Sequence, residues 1–157
     1  KQINLTHPLP SENHFPQHLV AKNHYRIGVI QKDSGLLQQA CESFTKAITL
    51  EPNLKKAKHA LARCYIKSNK HEKASRFLEE EINKDPHDAT YHLLLGINYH
   101  LTGHKDFAEE HFTIAQKIGP KTPEIKIYYN MYQKQKKENT QPKTEKQTLQ
   151  QQESPPC

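Results

Sequence analysis

The sequence predicts an all-α chain built from repeated helix pairs, and three observations carry that prediction. Pro52, Pro86 and Pro120 stand at a constant spacing of 34 residues. Three further columns keep the same spacing: Ile27, Leu61 and Leu95; Gly28, Ala62 and Gly96; Ala40, Ala74 and Ala108. Within each unit the apolar residues recur three or four apart on either side of a short polar break, which is the period of an amphipathic helix. The breaks are Lys32-Asp33-Ser34-Gly35, Ser68-Asn69-Lys70 and Thr102-Gly103-His104, and each turns one helix into the next.

Residues 1–15 contain Pro8 and Pro10 and no helical period, so an extended arm is expected there. Pro16 suits a first helical turn, where the N–H it lacks would be unpaired anyway, and the first helix is predicted over 16–32. Its extra turn at 15–20 is placed to shield the apolar end of a stack. Further helices are predicted at 36–50, 54–67, 71–83, 89–101 and 105–118. Each proline ends a unit, because it supplies no N–H and biases its predecessor (Glu51, Asp85 or Gly119) away from helix. The small residues Gly28, Ala62 and Gly96 are expected to face Ala40, Ala74 and Ala108 across the turn and let the helix axes approach closely. Thr122 is placed to cap a seventh helix over 123–133, whose Ile125, Tyr128, Tyr129 and Tyr132 share one face and can cover the last unit. From 134 to 157 the chain lacks aromatics and nearly all aliphatics, which predicts a disordered polar tail.

The third unit reads His92-x-x-Leu95-Gly96-x-x-Tyr99, then Ala108-x-x-x-Phe112, then Pro120, and resembles the tetratricopeptide repeat. The first unit keeps Ile27-Gly28, Ala40-x-x-x-Phe44, Ala47 and Pro52, with His24 for the usual Trp and Gln31 for the usual Tyr. The second keeps Leu61-Ala62-x-x-Tyr65, Ala74-x-x-x-Leu78 and Pro86, with Lys58 at the Trp position and Glu81 where a small residue is common. The resemblance implies a right-handed superhelical array of antiparallel helix pairs, an α-solenoid. Three repeats at about 21–54, 55–88 and 89–122, with the capping helix, make a domain over 16–133.

The net charge of +6 falls to about +4 without the polar tail, and the lysines are scattered with no basic block interleaved with aromatics. That pattern argues against nucleic acid as the main partner. No stretch approaches the ~18 consecutive apolar residues of a membrane span, so no transmembrane segment is expected. The chain begins Lys1-Gln2 without an initiator Met, as a processed chain or a fragment would. A cytoplasmic location and, if a signal or anchor precedes Lys1, a bacterial periplasmic or membrane-associated one both stay open.

Catalysis finds no support: there is no Gly-rich phosphate loop and no local Ser-His-Asp or Cys-His signature, so the chain reads as non-enzymatic with no cofactor. His100 and His104 have the spacing of two ligands on one helix face, but Thr102-Gly103 breaks the helix between them and no further ligand completes a set, so no metal site is assigned. Cys41 and Cys64 fall on neighbouring helices, the first near the start of one and the second near the end of the next. A bridge is within reach if those helices are antiparallel, while two buried free thiols explain the same residues.

The resemblance directs attention to a concave groove lined by the first helix of each pair, where partners lie as peptide segments. Its groove columns fall on Lys22, Tyr25, Arg26 and Val29 in the first unit and on Lys56, His59, Arg63 and Ile66 in the second. In the third they fall on Leu93, Leu94, Ile97 and Leu101. One end is basic and the other apolar. The apolar stripe needs a cover, supplied either by the Tyr-rich last helix or the arm, or by a partner segment. Relatives that hold heat-shock protein C-terminal carboxylates use Lys, Asn and Arg at positions occupied here by Tyr25, Val29, Ala60, Thr90 and Leu94; none matches, so that ligand is excluded from expectation. The reading is an adaptor or scaffold in a larger assembly, such as an envelope, secretion or pilus assembly, binding another protein through the groove. Two rivals are a targeting or secretion chaperone for one client and a basic accessory subunit touching nucleic acid or anionic lipid.

Overall fold

The computed structural model describes residues 16–140, with side chains to 138, as seven α-helices and, among the described residues, no strand. They are α1 (Gln17–Asp33), α2 (Leu37–Leu50), α3 (Lys55–Lys67), α4 (His71–Lys84), α5 (Ala89–Leu101), α6 (Lys105–Ile118) and α7 (Pro123–Thr140). The arm expected over 1–15 and the tail expected beyond 140 lie outside the described residues. The first six helices fall within a residue of the predicted ranges. α7 differs: it continues through 134–140, where a disordered tail is expected. The run Gln133-Lys-Gln-Lys-Lys-Glu138 consists of good helix formers with no Gly or Pro before Pro142, so a helix nucleated by packing at its start propagates through it.

The three turns inside the helix pairs are the same structure. Gly35, Asn69 and Gly103, again 34 residues apart, all hold positive φ (79°, 56° and 82°). Each donates its N–H three residues back, to Lys32, Ile66 or His100, while the next N–H reaches five back, to Gln31, Tyr65 or Tyr99. This pair of bonds satisfies the last carbonyls of the first helix and reverses the chain. The connections after α2, α4 and α6 also repeat: Glu51, Asp85 and Gly119 donate to the carbonyls of Ala47, Glu81 and Ala115, then accept from Leu54, Asp88 and Thr122. The proline column sits in the middle of these turns.

The chain divides into two compact units, between Phe77 and Leu78, within α4. In the first unit α1 and α2 run antiparallel, and the residue against Gly28 is Phe44, not Ala40 as expected. A Cβ on Gly28 would stand 2.6 Å from the Phe44 ring, so the glycine column exists to seat an aromatic ring one turn beyond the alanine. Ala40, Cys41, Phe44, Leu61 and Cys64 form the core there. Cys41 and Cys64 are joined as a disulfide, because α2 and α3 pack closely enough to bring the Cα atoms to 5.8 Å, inside the bridging range of roughly 4.4–6.8 Å.

The second unit repeats the arrangement. α5 and α6 pair with Phe112 against Gly96, where a Cβ would meet the ring at 2.8 Å. α7 closes this core: Ile125 and Tyr132 join Leu93, Ala108, Phe112 and Ala115. The Phe112 ring stacks on Tyr128 at 6.3 Å and meets Tyr132 at 5.4 Å, while the Tyr132 hydroxyl donates to the Lys105 carbonyl at 2.6 Å.

Candidate functional site

In the first unit α1 and α3 touch, and Tyr25 and Val29 of α1 with Ala60 of α3 pack against one core. Beyond that core α1 exposes Leu19, Ile27 and Ile30, and both helices carry basic side chains. Lys22, Arg26 and Lys56 are exposed, and His59 and Arg63 are partly exposed; Tyr25 rests on Phe44 with ring centres 5.9 Å apart, and Ile66 is buried. Neither residues 17–32 nor any residue of α3 is Asp or Glu. Eight lysines and arginines stand on these two helices against one acid, Asp33 at the end of α1, which pairs with Lys32 at 3.1 Å, and the excess makes the face a source of positive potential.

The apolar half of the predicted groove is different. Leu93 and Leu94 are each 1% exposed, so neither is available on a surface. Leu93 belongs to the core closed by Ile125 and Tyr132 of α7, and Ile97 packs partly buried against that core. The cover left open by the sequence is, for Leu93 and Ile97, the Tyr-rich last helix. Leu101 alone of the stripe stands out, at 58% exposure. His100 and His104 go separate ways: His100 meets the Tyr132 ring edge-on at 5.9 Å, and His104 Nδ1 lies 2.9 Å from the Thr102 hydroxyl.

Sequence reasoning missed a set of polar groups packed between α4, α5 and α6. His92, at the repeat's Trp position, is buried, with Nε2 3.1 Å from the Pro86 carbonyl and Nδ1 3.1 Å from Nδ1 of His111. A carbonyl only accepts, so Nε2 of His92 carries the proton, its Nδ1 accepts, and His111 donates. Burial pushes both histidines below the ordinary imidazole range, against the opposing pull of nearby carboxylates, Asp88 and Glu110 on His92 and Glu110 and Glu79 on His111. The Tyr99 hydroxyl donates to Glu79 at 3.0 Å while its ring stacks on His111. Glu81, at a column that holds Ala47 and Ala115 in the other units, is buried; it pairs with Lys84 at 2.8 Å and accepts from Tyr91, whose hydroxyl burial and the carboxylate push well above its usual range. His92 and Glu81 were visible as departures from the repeat pattern, and that departure was the available signal.

The family profile of the tetratricopeptide repeat matches residues 33–97. No curated protein matches the chain in sequence. Among solved structures it is similar to the Sgt2 TPR domain from Aspergillus fumigatus, at 16% identity over 88% of this chain and 87% of that one, with a TM-score of 0.68. It is likewise similar to the Arabidopsis OM64 TPR domain, at 14% identity over 76% and 98% of the two chains, with a TM-score of 0.66. A third is the second TPR domain of human RPAP3 in complex with the HSP70 peptide SGPTIEEVD, at 18% identity over 74% and 98%, with a TM-score of 0.64. The repeated turns, the helix pairs and the profile match agree: residues 33–97 match the tetratricopeptide-repeat family, and the described helices have the fold of that repeat.

Proposed function

We propose that this chain is a non-enzymatic protein-interaction module, an adaptor or scaffold, that takes an acidic segment of another protein along the α1 and α3 faces of its first unit. The observation that carries this reading is the absence of any acidic residue from 17–32 and α3, beside exposed Lys22, Arg26 and Lys56. A peptide complex of similar fold, the RPAP3 domain with its HSP70 peptide, supports the mode of binding. The ligand here is of another kind, because Tyr25, Val29 and Ala60 cannot supply the charged hydrogen bonds that grip a terminal carboxylate. Charge on Lys22, Arg26, Lys56 and Arg63 speeds association and selects acidic segments, while the partly buried Tyr25 and Val29 give the segment apolar contact.

The test is fluorescence anisotropy with labelled peptides carrying alternating acidic and apolar residues, beside neutral peptides of the same apolar content. Acidic peptides should bind, and binding should weaken as salt rises. Arg26→Glu with Arg63→Glu should weaken it by roughly tenfold or more and flatten the salt dependence, with circular dichroism confirming that the fold persists. Equal binding by wild type and double variant would place the partner on other helices. Binding of anionic vesicles or nucleic acid in place of acidic peptides would favour the basic accessory reading.

A further inference from the structure

The disulfide of the first unit is asymmetric. Cys64 is wholly buried, and its sulfur lies 3.1 Å from the Leu37 carbonyl oxygen. Cys41 instead forms part of the wall of an open cavity of about 330 Å³. Around Cys41 that cavity is lined by Lys46, Lys70 and Lys73 together with Tyr65, and by one acid, Glu42. Lys46 and Lys73 are exposed, and Lys70 donates to Gln38 at 2.7 Å.

We propose that Cys41 is a mixed-disulfide modification site for a small anionic thiol of the glutathione class, admitted by this cavity. Of the two, only Cys41 keeps any exposed surface, 5% against none for Cys64, so an incoming thiolate is directed to the Cys41 sulfur. The new bond joins the thiol's sulfur to Cys41 Sγ and the Cys41–Cys64 bond breaks. Its electron pair departs on the Cys64 sulfur, which takes a proton from water and then donates S–H to the Leu37 carbonyl already beside it. A second thiol attacking the mixed disulfide would release the oxidised dimer of the small thiol and leave both cysteines reduced, so the electrons for full reduction come from two thiols. The three lysines concentrate an anionic nucleophile at the cavity and stabilise its thiolate. A bridge that serves only as a staple would need neither the opening at Cys41 nor the lysine rim.

The test uses the full chain with Cys157→Ser, so that Cys41 and Cys64 are the only cysteines. Native oxidised protein is treated with reduced glutathione, quenched in acid, alkylated and mapped by mass spectrometry. Cys41 should carry glutathione and Cys64 the alkyl group. Rates with glutathione, neutral mercaptoethanol and cationic cysteamine should, once corrected for thiolate fraction, fall in that order by several-fold per step at low salt and converge at high salt. Lys46→Glu with Lys73→Glu should reverse the order, with circular dichroism confirming the fold. Modification of Cys64 first, a rate indifferent to thiol charge in the wild type, or a bridge that resists reduction until the protein is denatured would each overturn the proposal.

Discussion

α1 and α5 occupy the same place in their helix pairs, yet they are used in opposite ways. Both set a glycine against a phenylalanine ring of the next helix, Gly28 on Phe44 and Gly96 on Phe112. α1 buries only Ala21 and Gly28, whereas α5 buries every residue from Tyr91 to Gly96 and also Asn98. α5 has a second helix against it, since α7 brings Ile125 and Tyr132 onto Leu93. The repeat code thus specifies how two helices pair; it does not decide whether the first helix becomes surface or core. That is settled by what packs against it: α5 meets Glu79 of α4 and the Ile125 and Tyr132 side of α7, while α1 leaves Lys22, Arg26 and Ile30 exposed.

Substitution at the shared glycine should therefore give the largest effects, in both units. Gly28→Leu and Gly96→Leu each drive a side chain into a packed ring, and each should cost roughly 3 kcal/mol or more in urea unfolding. Gly103→Leu is the control: nothing lies within 4 Å of its Cβ position, and its cost is the left-handed φ of 82°, about 1–2 kcal/mol. If Gly103→Leu proved the worst of the three, ring seating would not be what the glycine column does.

Glu81 sharpens the contrast from the second unit's side. Its carboxylate is buried where the other repeats carry alanine, and it accepts the hydroxyl of Tyr91, itself 1% exposed. Glu81→Ala should cost about 1–3 kcal/mol, because the Tyr91 hydroxyl is left buried without its acceptor. Adding Tyr91→Phe to Glu81→Ala should restore part of that loss, and equal melting of single and double variants would show that the hydroxyl never depended on the carboxylate.

Most of the fold was legible in advance because it is written in spacing. Proline, glycine and alanine columns act locally, through a missing N–H or a missing side chain, so their consequences follow wherever they recur. The basic character of Lys22, Arg26 and Lys56 was equally legible, since exposed charge can be read from the residue alone. The leucines of α5 were legible as a stripe that needs a cover, but not which cover, because burial depends on what packs from elsewhere; for Leu93 it is α7, and Leu94 is buried as well. The Gly35, Asn69, Gly103 column was present at the same spacing and passed unremarked, since Asn does not look like Gly until the backbone shows why both are there.

A pH titration separates the two units through the His92 and His111 pair. Both histidines are held below the ordinary value of 6.5, burial being the largest cause. Above that value they are neutral folded and unfolded, and the pair adds no pH dependence. Below it the unfolded chain takes up protons that the folded pair resists, so stability falls with pH until the folded groups also protonate. The slope should approach about 1.4 kcal/mol per pH unit for each histidine. His92→Phe with His111→Phe should remove this acid-side loss, read as the urea midpoint between about pH 5 and 7. An unchanged slope in the double variant would trace the acid sensitivity to other groups.

The smallest expected effect lies in the turns. Asn69 holds φ at 56° where its two counterparts are glycine, and it makes the same hydrogen bonds, from its own N–H to Ile66 and from Lys70 to Tyr65. An L side chain in this region costs about 1–2 kcal/mol, which Asn tolerates better than most residues and Gly avoids. Against that gain, glycine in the unfolded chain has more freedom to lose, worth roughly 0.5–1 kcal/mol. Asn69→Gly should therefore stabilise by about 0.5 kcal/mol or less, while Asn69→Val, branched at Cβ and without a polar group, should destabilise by more than 1 kcal/mol on the same left-handed penalty. The two variants bracket the turn: if valine is tolerated as well as glycine, the second repeat does not close through the same left-handed residue as the first and third.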